Sequence, residues 1–493
     1  MTYDVAIIGA GVIGSALFRE LGKYRLSTVL IEKENDVALG SSRANSAIVH
    51  AGYDPPPGTF MARFNVEGNK IYPRLCADLN VPFRQNGSLI VALTPEETPQ
   101  LKRLYENGLK NGVEGLELVD AQGVRALEPN LQPSICGALV APTGGIVGSY
   151  EFTIALAESG AINGGDVLLN SEVVKIEKFT EDGTPSADVS RRGGFFRVSF
   201  KNGGAVDARF LVNAAGAYSD AVQQLIGQKR FTVTPRKGEY YILDKRQGTL
   251  VDRTIFMCPS KLGKGVLVTP TVHGNLMVGP DAQDGFDKED VSTTRQGLEF
   301  VRNMSKLLCD KVDFSDSVRN FAGLRALPDG KDFIIELDPD VAGLLNLAGI
   351  KSPGLTSAPA IAVYATELLA NAGLELKDNP DFDPLREEIR FAELSNEEKA
   401  ALVAKDPRYG RVICRCEQIT EAEIVDAIRR PIGARTLDGI KRRRRPGSGR
   451  CQGGFCGPRV LEILSRELGV PREEIDKDKE GSYILVGKTK EEL

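Results

Sequence analysis

The sequence predicts a mixed α/β and α+β architecture. A discontinuous Rossmann-like nucleotide-binding domain carries an inserted mixed-sheet domain, and a small helical domain follows at the C-terminal end. Three observations carry this expectation. The first fifty residues read as strand, glycine turn, helix and strand, and strand–turn–helix returns over 341–370. Between them the chain is rich in short β-prone runs. Four of its eight cysteines, Cys414, Cys416, Cys451 and Cys456, fall within the last eighty residues.

Residues 3–8 (YDVAII) are apolar and β-prone, residues 12–23 (VIGSALFRELGK) space apolar side chains as a helix does, and residues 27–32 (STVLIE) form the next strand. Such a βαβ unit implies a parallel sheet. Its first turn, Gly9-Ala10-Gly11-Val12-Ile13-Gly14, is G-x-G-x-x-G. Gly9 permits the tight turn, Gly11 lets the backbone approach a pyrophosphate, and Gly14 lets the helix pack close to the strand. The helix N-terminus then offers N–H groups to the phosphates. Glu32 ends the second strand eighteen residues past Gly14, where an acid accepts hydrogen bonds from a ribose diol. Together these features point to a dinucleotide, without separating FAD from NAD.

Farther along, 195–200, 208–214, 239–243 and 265–279 look like strands. The nucleotide-binding domain is expected from 1–80, 150–220 and 320–375, and the inserted substrate domain from 81–149 and 221–319. Residues 376–410, with prolines at 380, 384 and 407, read as a connector with some helix. The C-terminal domain spans 411–475 and a tail 476–493.

At 493 residues, 42% hydrophobic and 26% charged, the composition is that of a globular protein able to bury large cores. A net charge of −5 argues against nucleic acid as the main partner. No apolar stretch approaches the ~20 residues needed to span a bilayer, so no integral membrane segment is expected. The opening apolar run lacks a basic flank and an A-x-A-like cleavage site, and reads as a buried strand of a cytoplasmic protein. The clustering of the cysteines suggests metal ligation in a reducing compartment rather than a secreted disulfide framework.

Residues 40–53 (GSSRANSAIVHAGY) place a small polar stretch after the ribose acid. Here the chain resembles the FAD-dependent amino-acid oxidase superfamily, in particular its anaerobic-type glycerol-3-phosphate dehydrogenase branch, and is also similar to L-2-hydroxyglutarate dehydrogenases. The resemblance implies FAD. It sets Ser41, Ser42, Asn45 and Ser46 along the diphosphate and flavin edge, Val173 beside the adenine, and Gly216 of LVNAAGA in a second cofactor-contacting turn. It also places Gly354, Leu355 and Thr356 of GIKSPGLT at a helix start facing the flavin, where the dipole stabilises negative charge on the reduced ring.

A substrate site needs an anchor and a proton acceptor. His50 could accept a hydroxyl proton, hydrogen-bond the flavin, or simply cap a strand. Arg325 resembles the family's substrate-facing arginine, and a guanidinium suits phosphate or carboxylate. Lys351 could add positive charge and Tyr53 a hydroxyl, though each could equally be a strand-end residue. His273 reads as the end of a hairpin. The family's Gly-Gly-Lys appears here as Ala-Gly-Ile-Lys, a departure bearing on the substrate.

Cys414-Arg-Cys416 and Cys451-Gln-Gly-Gly-Phe-Cys456 supply four thiolates in two close pairs, compatible with iron–sulfur or zinc. Their spacing resembles the bacterioferritin-associated ferredoxin-like module, which implies a [2Fe–2S] cluster. Thr420 can cap a helix over 421–430 with Glu423 completing a capping box, and 456–468 forms another helix. The run 441–445 (KRRRR) has three readings: a docking patch, charge balance for the cluster, or a solvated face.

The resemblance as a whole implies an FAD-dependent dehydrogenase oxidising glycerol 3-phosphate to dihydroxyacetone phosphate. Electrons would pass through the [2Fe–2S] cluster to redox partner subunits of a hetero-oligomeric complex. The alternatives are a dehydrogenase of another small anion, such as L-2-hydroxyglutarate or an amino acid, and an electron-transfer subunit whose flavin never meets substrate.

Overall fold

The computed structural model describes residues 2–186, 188, 193–259, 265–487 and 490. They form two compact units: Met1–Lys33 with Val37–Leu385, and Glu34–Asp36 with Arg386–Leu493.

In the first unit, β1 (Thr2–Ile8), α1 (Val12–Leu21) and β2 (Thr28–Ile31) realise the opening βαβ unit. β1 pairs in parallel with β2 on one side and with Ala205–Asn213 on the other. Asp166–Leu168 extends the sheet beyond β2, and Leu344–Ala348 extends it beyond Ala205–Asn213, again in parallel. An antiparallel pair, Val173–Phe179 and Phe195–Phe200, joins the first half of Ala205–Asn213, and Ile334–Leu337 runs antiparallel to Leu344–Ala348.

This topology assembles the site. Ile8 is level with Ile31 and with Asn213, and Asn213 is level with Asn346. Because these four strands are parallel, the segments leaving them, beginning at Gly9, Glu32, Ala214 and Gly349, emerge at one edge of the sheet. Open parallel sheets bind ligands along that carboxyl edge.

The second sheet has the order Ser317–Pro328, Val233–Leu243, Leu276–Gly279, Leu267–Pro270, Thr254–Met257, Ser88–Ala92, Gly137–Ala141, Glu117–Asp120. It is mixed: Thr254–Met257 and Ser88–Ala92 run parallel, while the other neighbours are antiparallel. Its apolar face packs Leu89, Val91, Ile255, Val268 and Val278 into a buried cluster. The run 265–279 forms two strands joined by the hairpin expected at His273, which lies in its turn. His273 Nε2 lies 2.8 Å from Glu151 Oε2.

In the second unit, helices Asn396–Lys405, Glu421–Arg429, Leu437–Arg444 and Gly457–Leu468 accompany a short ribbon, Val412–Cys414 with Ile419–Thr420. Its core gathers Ile424, Ile428, Ile440, Val460 and Leu464. The Thr420–Glu423 capping box forms as the sequence predicts: the Glu423 amide donates to Thr420 Oγ1, and Glu423 Oε2 accepts from the Thr420 amide at 2.9 Å.

The arginine run departs from the docking-patch and solvated-face readings. It lies on Leu437–Arg444, a helix capped by Thr436, and Arg442, Arg443 and Arg444 are buried. Arg443 grips Asp36 with both terminal nitrogens at 2.8 Å, Arg442 reaches Asp36 at 3.0 Å and Asp478 at 2.6 Å, and Arg444 pairs with Glu388 and Asp426. Buried guanidinium groups need such partners, because an unpaired buried charge is strongly destabilising.

Candidate functional site

The glycine turn behaves as its fingerprint demands. Gly9 has φ +106°, and a Cβ there would lie 2.5 Å from the Ala214 carbonyl oxygen. A Cβ on Gly14 would lie 2.0 Å from the Gly9 carbonyl oxygen, so only glycine lets α1 sit this close to β1. Above the turn, Ser42 Oγ accepts from the Val12 amide at 2.9 Å and Glu32 Oε2 accepts from the Ala10 amide at 2.9 Å. The Gly11 and Ile13 amides have no protein acceptor among the described residues. Donors at a helix start with space beside them fit a diphosphate.

The loop after Glu32 is fixed from several directions. Ser41 Oγ donates to the Leu324 carbonyl at 2.5 Å. Asn45 donates through Nδ2 to the Ser41 and Ser42 carbonyls and accepts the Ala47 amide on Oδ1, which stabilises Ala47 at φ +55°. Ser46 Oγ lies 3.2 Å from the Tyr240 hydroxyl, and the Tyr240 ring stacks on Phe321 with centroids 4.7 Å apart. A Cβ on Gly323 would lie 1.9 Å from the Ala44 carbonyl oxygen, so this glycine admits the loop against strand Ser317–Pro328. Gly216, at φ +57°, opens a short 3-10 turn with free space at its Cβ position. Val173 begins its strand, half-buried and paired with Phe200.

Gly354, Leu355 and Thr356 form the first turn of helix Gly354–Asn371. Thr356, fully buried, takes the His50 amide on Oγ1 at 2.9 Å, and the Leu355 carbonyl accepts the Tyr72 hydroxyl at 2.6 Å. These bonds tie the start of that helix to His50, which follows β3 (Ile48–Val49). The His50 carbonyl accepts from Asn65 and Asn69 on α2 (Phe60–Asp78), at 2.8 and 3.1 Å. Its ring Nε2 lies 3.3 Å from Ser352 Oγ, and the ring centroid is 5.8 Å from that of Phe256. The His50 backbone is thus fixed by Thr356, Asn65 and Asn69, and its half-buried imidazole is flanked by Ser352 and Phe256.

Arg325 is half-buried, opposite Arg236 in the paired strands. Arg236 is neutralised by a bidentate bridge to Asp284 at 2.7 and 2.8 Å. Arg325 makes no ion pair among the described residues, and its terminal nitrogen lies 3.4 Å from the Asp281 carbonyl oxygen. Half-burial without a carboxylate leaves this guanidinium suited to a bound anion. Lys351 is half-buried beside Ser352 in the same segment. Tyr53 is placed differently: its ring packs among Val66, Ile90, Phe256 and Leu267, and burial pushes its phenol well above the usual range. That environment makes it a core ring. Sequence reasoning missed Ser352, Tyr240, Phe321 and Gly323. Ser352 lay in the segment singled out for Lys351, Phe321 and Gly323 in the one around Arg325, and Tyr240 in the expected strand 239–243.

In the second unit the four thiols form two hydrogen-bonded pairs, Cys414 with Cys456 and Cys416 with Cys451. The hydrogen bond from Cys456 pulls the Cys414 thiol down to about 6, and the same bond with burial pushes the Cys456 thiol up. Amide groups of Glu417 and Gly447 point at Cys414, and those of Phe455 and Gly453 at Cys451. A Cβ on Gly449 would lie 2.3 Å from Cys416 Cβ, so the closing loop requires glycine there. Among the described residues no three His, Cys, Asp or Glu side chains are gathered for a single metal ion. Two thiol pairs with amide donors instead suit two irons, each bound by two sulfurs.

Residues 4–368 match the family model described as FAD dependent oxidoreductase. The chain belongs to that family. Residues 412–466 match the BFD-like [2Fe-2S] binding domain, so FAD and a [2Fe–2S] cluster are its cofactors. A glycerol 3-phosphate dehydrogenase of Caloramator mitchellensis is 50% identical over 492 residues, covering 100% of both chains. A glycerol 3-phosphate oxidase of Mycoplasma genitalium is 33% identical, over 78% of this chain and 98% of that protein. Human mitochondrial L-2-hydroxyglutarate dehydrogenase is 30% identical, over 73% of this chain and 87% of that protein. Among solved structures, the dithionite-reduced L-alpha-glycerophosphate oxidase of Mycoplasma pneumoniae with FAD bound superposes with a TM-score of 0.73. It is 31% identical, over 79% of this chain and all of that one.

Proposed function

We propose that this protein is a glycerol-3-phosphate dehydrogenase. It oxidises the C2 hydroxyl of glycerol 3-phosphate to give dihydroxyacetone phosphate, and delivers the two electrons singly to a further redox protein. One observation carries this reading: the similarity to the Caloramator dehydrogenase continues through the cysteine module to the ends of both chains. The Mycoplasma oxidase, by contrast, is spanned almost entirely by 78% of this chain, and the thiolate domain is what this chain adds. An added one-electron site suits delivery to a carrier rather than to dioxygen.

The residues divide the work. Arg325 binds the phosphate dianion with two parallel N–H donors, and Lys351 adds positive charge. His50 accepts the hydroxyl proton on Nε2, with Ser352 and Phe256 fixing its ring. Gly9, Gly11, Gly14, Glu32, Ser41, Ser42, Asn45, Ser46, Val173, Gly216, Gly354, Leu355 and Thr356 hold the cofactor, and Cys414, Cys416, Cys451 and Cys456 hold the cluster. When bound, FAD supplies the two-electron acceptor and the cluster a one-electron store.

Among the described residues no helix is long and apolar enough to cross a membrane, and four thiols must stay reduced. Both points support a cytoplasmic setting, with the acceptor supplied by partner subunits. The second reading, an L-2-hydroxyglutarate dehydrogenase, draws on the 30% identity to the human enzyme and would use Arg325 on a carboxylate. Adding each substrate anaerobically to the oxidised holoenzyme tests both. Glycerol 3-phosphate should bleach the flavin. Bleaching by 2-hydroxyglutarate alone would overturn the proposal in favour of the second reading.

A further inference from the structure

The four cluster thiols differ in their surroundings. Cys414 and Cys456 are each 2% exposed, whereas Cys416 is exposed and Cys451 half-buried. The thiolate site therefore has an inner edge and an outer edge. Four exposed side chains frame the outer edge. Arg415 stands between two ligands, Arg450 precedes Cys451, Phe455 precedes Cys456, and Arg459 lies in the first turn of helix Gly457–Leu468. The contact between Cys416 and Cys451, and the close approach of Gly449 to Cys416, bring these segments together. Phe455 is 85% exposed, more than any other large aromatic ring among the described residues.

At Arg415 and Arg459 the charge is not neutralised as it is elsewhere in the unit. Arg442, Arg443 and Arg444 are buried against carboxylates. Arg415 and Arg459 make no ion pair among the described residues. The acids nearest in sequence are already committed: Glu417 bridges to Arg445 at 3.1 Å and Glu462 to Arg472 at 3.0 Å. A chain of net charge −5 thus presents a positive rim with an apolar ring at the place where its redox site meets solvent.

We propose that this outer edge is the docking surface for an acidic one-electron carrier protein, and that electrons leave by the Cys416/Cys451 side. The inference rests on the reading that electrons pass from this chain to a carrier. Phe455 supplies the apolar centre of a small interface, and Arg415 and Arg459 steer an acidic partner towards it. A small, charged contact suits a transient encounter. In each encounter one electron leaves the chain and one enters the oxidised carrier, and no bond is made or broken.

The test uses the full-length holoprotein and an acidic plant-type [2Fe–2S] ferredoxin, both oxidised, with binding followed by calorimetry. No substrate is present, so failure of glycerol 3-phosphate to bleach the flavin would sink the substrate assignment without touching this result. The wild type should bind, and binding should weaken roughly tenfold or more from low to physiological salt, as screening of exposed charges requires. Arg415→Glu combined with Arg459→Glu should weaken it at least tenfold while the visible cluster spectrum persists. Arg459→Glu alone, outside the ligand run, should still weaken it several-fold if the double variant loses its cluster. Phe455→Ala should weaken binding and leave the salt dependence intact. The proposal is overturned if the wild type does not bind, if it binds basic cytochrome c equally well, or if the cluster-retaining arginine variants bind within twofold of the wild type.

Discussion

Asp36→Asn keeps the side-chain shape and removes its charge, and it probes the buried arginines directly. Asp36 Oδ1 accepts from Arg443 at 2.8 Å, and Oδ2 accepts from Arg443 at 2.8 Å and from Arg442 at 3.0 Å. The side chains of Asp36, Arg442 and Arg443 are 7%, 6% and 1% exposed. An asparagine offers one carbonyl oxygen and turns an NH2 towards a guanidinium, so Arg443 loses its carboxylate. Arg442 keeps Asp478 at 2.6 Å, and the cost falls mainly on Arg443. Removing one partner of a buried ion pair costs about 3–5 kcal/mol. A domain of this size loses about 4–8 °C per kcal/mol, so the C-terminal unit should melt more than about 10 °C lower. Scanning calorimetry, with loss of the cluster absorbance as a second probe, measures it. Asp36→Leu with Arg443→Met should recover most of the loss, because a well-packed apolar pair replaces a buried ionic one at little net cost. A shift below about 2 °C in Asp36→Asn would refute the reasoning, since the pair would then be no stronger than a surface one.

Three other outcomes follow from the same structure. Burial raises Asp36 and Glu388, but Arg443 and Arg442 at the first, and Arg444 and Arg386 at the second, outweigh it and hold both carboxyls low. Their stabilisation is complete above the ordinary carboxylate pKa of about 4 and is lost as pH falls through the depressed folded values. Thermal melts from neutral pH to about pH 3 should therefore drop, and less steeply in Asp36→Asn. Gly14→Ala would set a Cβ 2.0 Å from the Gly9 carbonyl oxygen, so the purified variant should carry little flavin by absorbance, and normal flavin content would contradict this. Arg325→Ala should lower kcat/KM for glycerol 3-phosphate by about a hundredfold or more, as loss of a charge-assisted anion contact of about 3 kcal/mol requires, with Arg325→Lys intermediate. An unchanged kcat/KM would remove Arg325 from the site.

Much of the fold was legible because its signals are local. The period change across β1, Gly9–Gly14 and α1 marks strand, turn and helix within some twenty residues, and the Thr420–Glu423 box spans a single helical turn. The inserted mixed sheet was legible as a run of β-prone segments. The hairpin turn at His273 was legible from its Thr-Val-His-Gly-Asn run, and backbone hydrogen bonds between Thr271 and Asn275 close it. The role of the arginine run was not. Its partners Asp36 and Glu388 lie far off in sequence, so a run open to docking, charge-balance and solvated readings has at its centre a buried clamp, Arg442 to Arg444. The proximity of Ser352 to His50 joins residues 302 positions apart, and the burial of Tyr53 depends on three strands of another sheet. Neither leaves a mark in a local pattern.

One chain is expected to couple a flavin reduced by glycerol 3-phosphate to a thiolate-bound two-iron centre. Anaerobic titration of the holoprotein with glycerol 3-phosphate, read in the visible and by electron paramagnetic resonance, tests it most directly. Each substrate yields two electrons, the flavin stores two and the cluster one, so full reduction should need ~1.5 equivalents per chain, falling to ~1 in Cys414→Ser. A cluster that stays oxidised while the flavin is fully bleached, or a preparation holding neither iron nor flavin, would contradict the account.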